Sequence, residues 1–395
     1  SGEGPAKLGP EADSKAKKLS NLYVLKGDKT HLVSVSEQAA EICVWNAIEQ
    51  KAVRRIFGLN QPRELRLIDN RRALVLCNRE LRVYDLDAGQ LVVKLKGVMH
   101  QQMAFFGLHS PDYVVALSRN RMYVNMMNLR SGDLETTFKV GEDRFLNSLL
   151  VSANGRICVC GDETQKPFPL LVWDLDKRKL LYDLRIAHHE FLTRLSAISS
   201  DGHYVVCVCR ELADGAPNFI IVYDLQSGTL FKKWKPQRSS VSIAVSSTAS
   251  LVLNGLDNAL LVVWDLGTGQ RKHTLKGHTA PVDVIRLEPE MGRRALTYSS
   301  QQCIDGSIRV WDVDVGVCLA VYTPSLPVLC GQILPGGECC VLALEGRDSL
   351  VACALLEGSK AGAVKKARQE LLDTASKQPY CNLTNKGLEV ELKDA

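Results

Sequence analysis

The chain has 395 residues, 46% hydrophobic and 24% charged, and a formal charge of +5, the balance of an ordinary globular protein with a sizeable core. So small an excess of positive charge gives no sign of nucleic-acid binding, which needs a concentrated basic face. No run of about 18 apolar residues is present to span a bilayer, and the opening SGEGPAKLGPEADSKAKK lacks the apolar stretch of a secretory leader.

Residues 1–19, with their Gly, Pro and Lys, read as a disordered segment ahead of a domain over 20–358. Within that domain one phrase recurs. A strand-like apolar run ends in an aromatic plus an acid or amide, then come a short turn and another alternating run. The phrase appears as ICVWNAIEQKAVRRIF (42–57), LRVYDLDAGQLVVKLKG (81–97) and YVNMMNLRSGDLETTFKV (123–140). It returns as LLVWDLDKRKLLYDLRI (170–186), IIVYDLQSGTLFKKWKP (220–236), LVVWDLGTGQRKHTLKG (261–277) and IRVWDVDVGVCLAVYT (308–323). Its closing residues Asn46, Asp85, Asn128, Asp174, Asp224, Asp265 and Asp312 fall 39, 43, 46, 50, 41 and 47 apart, the period of a four-stranded unit. Two further β-rich runs precede each aromatic, with Gly, Asn, Asp and Ser between them as hairpin turns require. Such small sheets hide their faces by stacking radially.

These residues resemble the WD-repeat family. Trp173-Asp174, Trp264-Asp265 and Trp311-Asp312 match its closing dipeptide, and Gly277-His278 its opening one. The resemblance runs over about residues 20–356 and implies an all-β propeller of seven to eight four-stranded blades. It also implies a hydrogen-bonded network across the most complete unit, carried by His278, Ser299, Asp305 and Trp311. Other units depart from the pattern, with Tyr84, Tyr223 and Met127 in place of Trp.

The eighth unit offers three strands over 327–358 and no fourth directly after. Residues 359–395 read as a helical tail, with Ala363, Ala367, Leu371 and Leu372 at helical spacing, followed by KGLEVELKD, which alternates like a strand. We expect that strand to return as the missing outer strand of blade eight.

The 13 cysteines lie mostly inside apolar runs such as Cys158-Val-Cys160 and Cys207-Val-Cys209, where they read as buried free thiols rather than metal ligands. No phosphate loop, HExxH or CxxC occurs, and no cofactor is expected. Lys94, Lys96, Lys232, Lys233, Lys235, Arg271, Lys272 and His273 fall in expected outer strands, where cations discourage edge-to-edge pairing. They leave RNA or phosphoinositide binding as an alternative function. A ubiquitin-ligase adaptor is a second alternative, weakened because the family's Arg two residues after the repeat Asp is missing from all three Trp-Asp units.

Two long loops, 161–170 and 210–219, belong to consecutive blades and should rise from one sector of the face called the top, beside the connection 185–191. Phe168, His189, Phe191, Arg210 and Phe219 gather there as candidate partner-binding residues, since exposed aromatics with an Arg make interface anchors. The competing reading packs Phe191 inside blade five and makes His188 that blade's internal histidine. The expected function is a non-enzymatic scaffold for other proteins, cytoplasmic or nuclear.

Overall fold

Every repeated phrase ends a hairpin, and the hairpin explains the phrase. The computed structural model describes residues 19, 21–25, 28–96, 105–139, 144–164, 169–212, 218–248, 250–347, 349–355, 380–384 and 389–393. In it, the Asp85 carboxylate accepts the amide protons of Asp87 and Ala88 at 2.8 and 2.7 Å, and the Gly89 amide returns to the Asp85 carbonyl at 2.8 Å. Gly89 has φ +66°, the left-handed region this turn demands. The same frame joins Asn128 to Gly132, Asp224 to Gly228, Asp265 to Gly269 and Asp312 to Gly316. Asp and Asn interchange at this position because only a side-chain oxygen is used. Beside the preceding aromatic or Met the outer hairpin shifts register, as at Val44/Trp45, Val172/Trp173 and Val310/Trp311, a bulge that twists the outer strand.

The hairpins assemble into eight antiparallel sheets arranged as a propeller. Blade one runs Asn21–Val24, His31–Ser36, Glu41–Asn46 and Lys51–Phe57 from axis to perimeter. Blades two to seven repeat that order, with inner strands Pro62–Leu67, Phe106–Ser110, Leu150–Val151, His189–Ile198, Ser240–Val245 and Val284–Leu287. Blade eight has Val328–Ile333, Cys339–Leu344 and Leu350–Ala354.

No blade owns its core. Each apolar cluster lies between two neighbours, as where Val33, Ile42 and Ile56 of blade one meet Leu65, Val75 and Tyr84 of blade two. The last cluster puts Cys330, Val341 and Leu350 of blade eight against Leu22, Leu32 and Trp45 of blade one, and the ring closes there. Burial in these seams also explains the thiols: Cys158 and Cys160 are fully enclosed, and burial pushes Cys207 up to about 12, so it is protonated and inert.

One expectation about the strands needs correcting. Glu389–Lys393 lies parallel to the outer strand of blade seven, Val317–Tyr322, with Tyr322 opposite Val390. It therefore does not complete blade eight; any blade's outer strand offers the same row of free backbone groups. The helix expected over 360–377 lies outside the described residues, as does the segment 1–18.

The network in blade seven forms with one substitution. Thr297, not Ser299, sits opposite the Trp311 side of the sheet: Trp311 Nε1 donates to Thr297 Oγ1 at 2.8 Å, and Thr297 Oγ1 lies 2.9 Å from His278 Nε2. His278 Nδ1 meets Asp305 at 2.6 Å, and Ser299 instead accepts the Gln301 amide. The end of the strand is the reason, since Thr297 lies inside Arg294–Tyr298 and Ser299 just beyond it. Blade one keeps half the network, Trp45 Nε1 donating to Ser34 at 2.7 Å.

Burial alone pushes the Asp305 carboxyl up, but hydrogen bonds from Ser307, the Thr279 amide and His278 overcome it and hold it at about 2. Burial also lowers His278, against the opposing pull of Asp305. Both folded values lie below their unfolded ones, so both groups stabilise the fold at neutral pH and lose that contribution on acidification. For His278 the loss begins below about pH 6.5, and for Asp305 below about pH 4. The melting temperature is expected to fall steadily from pH 7 to pH 3, and His278→Gln to flatten the part above pH 5. A variant profile parallel to wild type would show that His278 does not contribute.

Candidate protein-docking site

Two neighbouring inner strands leave the regular pattern at their top ends. In blade four the strand shrinks to Leu150–Val151, preceded only by the bridge between Leu146 and Asp162. In blade five Phe191 pairs with Cys209 and Ser196 with Cys207, so Leu192–Leu195 bulge out opposite Val208 alone. Leu192 and Leu195 pack toward the seam with blade six, while Arg194 stands exposed. The bulge crowds blade four: a Cβ on Gly161 would come within 2.4 Å of both the Thr193 and Asn147 side chains, so a larger residue there requires those side chains to shift.

Between these strands lies a depression of about 1080 Å³, bordered by Arg121 of blade three, Phe145 and Glu163 of blade four, Leu192 and Arg194 of blade five, and Val241 of blade six. Arg121 has φ +60°, a conformation costing about 1–3 kcal/mol at a non-glycine residue. Held so, its guanidinium reaches Glu163 at 3.0 Å and lies 5.9 Å from the centre of the Phe145 ring, which is 41% exposed. The backbone of Phe145 is pinned in turn, its N–H donating to Thr164 at 2.9 Å and its carbonyl accepting from Glu163 at 3.0 Å. Beneath, Arg144 donates to the buried Asp162 at 2.6 Å.

The expected rim residues divide between this depression and its outer flank. His189 and Phe219 meet edge to face at 5.7 Å, and the Lys233 ammonium lies 4.2 Å from the centre of the Phe219 ring. Arg210 is exposed and bonds Glu190, which borders the depression. Phe191 is not a surface anchor: it is buried against Tyr223 in the seam between blades four and five. Its side chain follows the alternation of the strand into the core. His188 is no internal blade histidine either, being an exposed turn residue at φ +61°. Phe168 lies outside the described residues.

Arg121, Phe145, Glu163 and Arg194 were not among the candidates. Two signals in the sequence mark the irregular segments, though not these side chains. The phrase Phe-Leu opens both irregular inner segments, at 145–146 and 191–192, and the interval from Asp174 to Asp224 is the longest of the series at 50 residues. A second space, about 490 Å³, lies in the axial channel among Leu22, Arg66, Phe106, Leu149 and their neighbours. Tyr23 and Arg66 both bond Glu64 there, at 2.6 and 2.5 Å. No group of three or more His, Cys, Asp or Glu positioned for a metal occurs among the described residues, and none of them forms a helix able to cross a membrane.

No protein-family model matches the chain. Transducin beta-like protein 3 of Mus musculus is 26% identical over 195 residues, covering 49% of this chain and 22% of that protein. U3 small nucleolar RNA-associated protein 21 of Saccharomyces cerevisiae is 24% identical over 195 residues, 49% of this chain and 19% of that protein. The chain thus spans about a fifth of the length of these relatives. Among solved structures, the computationally designed Ika8 protein superposes with a TM-score of 0.67 at 19% identity, covering 87% of this chain and 98% of its own; that likeness concerns the fold alone.

Proposed function

Starting from a chain that is an eight-bladed WD-repeat β-propeller, we propose that it is a non-enzymatic scaffold docking another protein on the top face between blades three and six. The observation that carries this reading is the depression of about 1080 Å³ where two adjacent inner strands abandon the repeat. Irregular backbone built into an otherwise periodic ring, with a strained Arg121 and a half-exposed Phe145, is the kind of local departure that marks recognition surfaces. We place the scaffold in a ribonucleoprotein assembly, by likeness to the yeast relative whose name ties it to a small nucleolar RNA. Its location in the cell would then be nuclear.

Quantitative affinity purification tests the reading, comparing wild type with a Phe145→Ala, His189→Ala, Arg210→Ala triple variant of unchanged melting temperature. One or a few proteins should drop at least tenfold in the variant, with a small nucleolar RNA enriched beside the wild type. Loss of the RNA alone, with every protein retained, would contradict a protein-docking rim. An identical set of proteins from both would move the docking surface elsewhere.

A further inference from the structure

We propose that the partner segment is an acidic peptide, with an Asp or Glu seated at Arg194 and an adjacent large apolar side chain against Phe145 and Leu192. The inference rests on the docking surface above and concerns the chemistry it selects.

Charge accounting on the top face carries it. The carboxylates of the depression are engaged: Glu163 with Arg121 at 3.0 Å, and Glu190 with Arg210. Arg194, at the crest of the bulge, has no ion pair among the described residues. It is exposed between Leu192, Leu195 and Val241, which line the same wall. A lone guanidinium beside apolar surface is weakly hydrated and presents a fork that matches a carboxylate.

Further cations without an acid continue outward from it. Arg238 and Lys235 occupy the connection that leads into Ser240–Val245, the strand packed against the bulge. Lys233 ends at the Phe219 ring, and Lys276 stands at the next connection around the ring. All four are exposed, and none has an ion pair among the described residues. Three perimeter lysines, by contrast, are paired, Lys94 with Glu80 at 2.9 Å, Lys96 with Asp133 at 2.6 Å and Lys272 with Asp314 at 2.5 Å. Cations left uncompensated on one sector steer an anionic partner toward it.

Two features favour a peptide over a nucleic-acid strand. The depression is concave and partly apolar, suited to a buried side chain. Among the described residues that line it, the exposed aromatic is Phe145, already faced by Arg121, which makes no row of bare rings on which successive bases could stack.

The test is selection of a random dodecapeptide phage library on the chain, followed by fluorescence polarisation with a labelled synthetic consensus peptide. The expected consensus holds Asp or Glu next to Leu, Phe or Trp. Its affinity should fall at least tenfold in Arg194→Glu and in Phe145→Ala, remain unchanged in Arg271→Glu on the perimeter of blade six, and weaken with salt. Replacing the peptide's acid by Lys should restore binding to Arg194→Glu. A neutral or basic consensus that still requires Phe145 would overturn the acidic assignment while leaving the docking surface in place. Peptides indifferent to both variants would overturn both. A labelled uridine dodecamer that binds through Arg194 and displaces the peptide would assign the sector to RNA instead.

Discussion

Asp305→Ala is expected to lower the stability of the fold by about 3–5 kcal/mol, the range for breaking a buried charged network by removing one partner. The carboxylate is 5% exposed and accepts from His278, the Thr279 amide and the amide and hydroxyl of Ser307, at 2.6, 2.9, 2.9 and 2.5 Å. Alanine leaves all of these donors without their acceptor in a space water does not easily fill. The damage would not stop at the turn. The donor at His278 Nδ1 leaves Nε2 free to accept from Thr297, whose oxygen in turn receives the Trp311 proton, so losing Asp305 frees the imidazole that keys the inner and middle strands together. Asp305→Asn, which keeps one acceptor oxygen, should cost less than half as much. Urea denaturation compares the three proteins, and a loss below about 1 kcal/mol in the alanine variant would show that the network is decoration on a sheet stable without it.

A comparable loss, about 3–5 kcal/mol, is expected from Trp173→Ala, the range for deleting a large buried aromatic. Trp173 is 1% exposed and belongs to blade four, yet its neighbours include Val115, Leu117, Met126 and Phe138 of blade three. Its removal opens a cavity between two blades rather than inside one. Hydrogen exchange gives the more telling readout. Amides of blades three and four should lose protection together, while those of blades six and seven keep theirs. Uniform loss around the ring would mean that the propeller opens only as a whole.

How far the sequence carried this far is a matter of which features repeat. The Asp or Asn closing each phrase was legible because the same turn recurs, and its chemistry, an acceptor for two amide protons, is local. The partner of Trp311 was misplaced by two positions because Thr297 and Ser299 share a strand face, and only the end of the strand separates them. Phe191 was placed in a connection rather than in the strand His189–Ile198, and its burial was only the competing reading, for the bulge at Leu192 lies one residue further on and alternation gives no sign of where it breaks. Arg194 was invisible for the same reason. A surface made by departures from a repeat cannot be read from the repeat.

The join between blade eight and blade one has a mechanical consequence. Cys330, Val341 and Leu350 meet Leu22, Leu32 and Trp45 through side chains, and among the described residues no strand of one blade is hydrogen-bonded into the other. Every other seam lies between blades that follow one another in the chain, so separating them stretches a peptide connection as well. Pulled or heated, the ring has one place where it can part like a split washer, and the tension needed there is set by greasy contacts rather than by backbone.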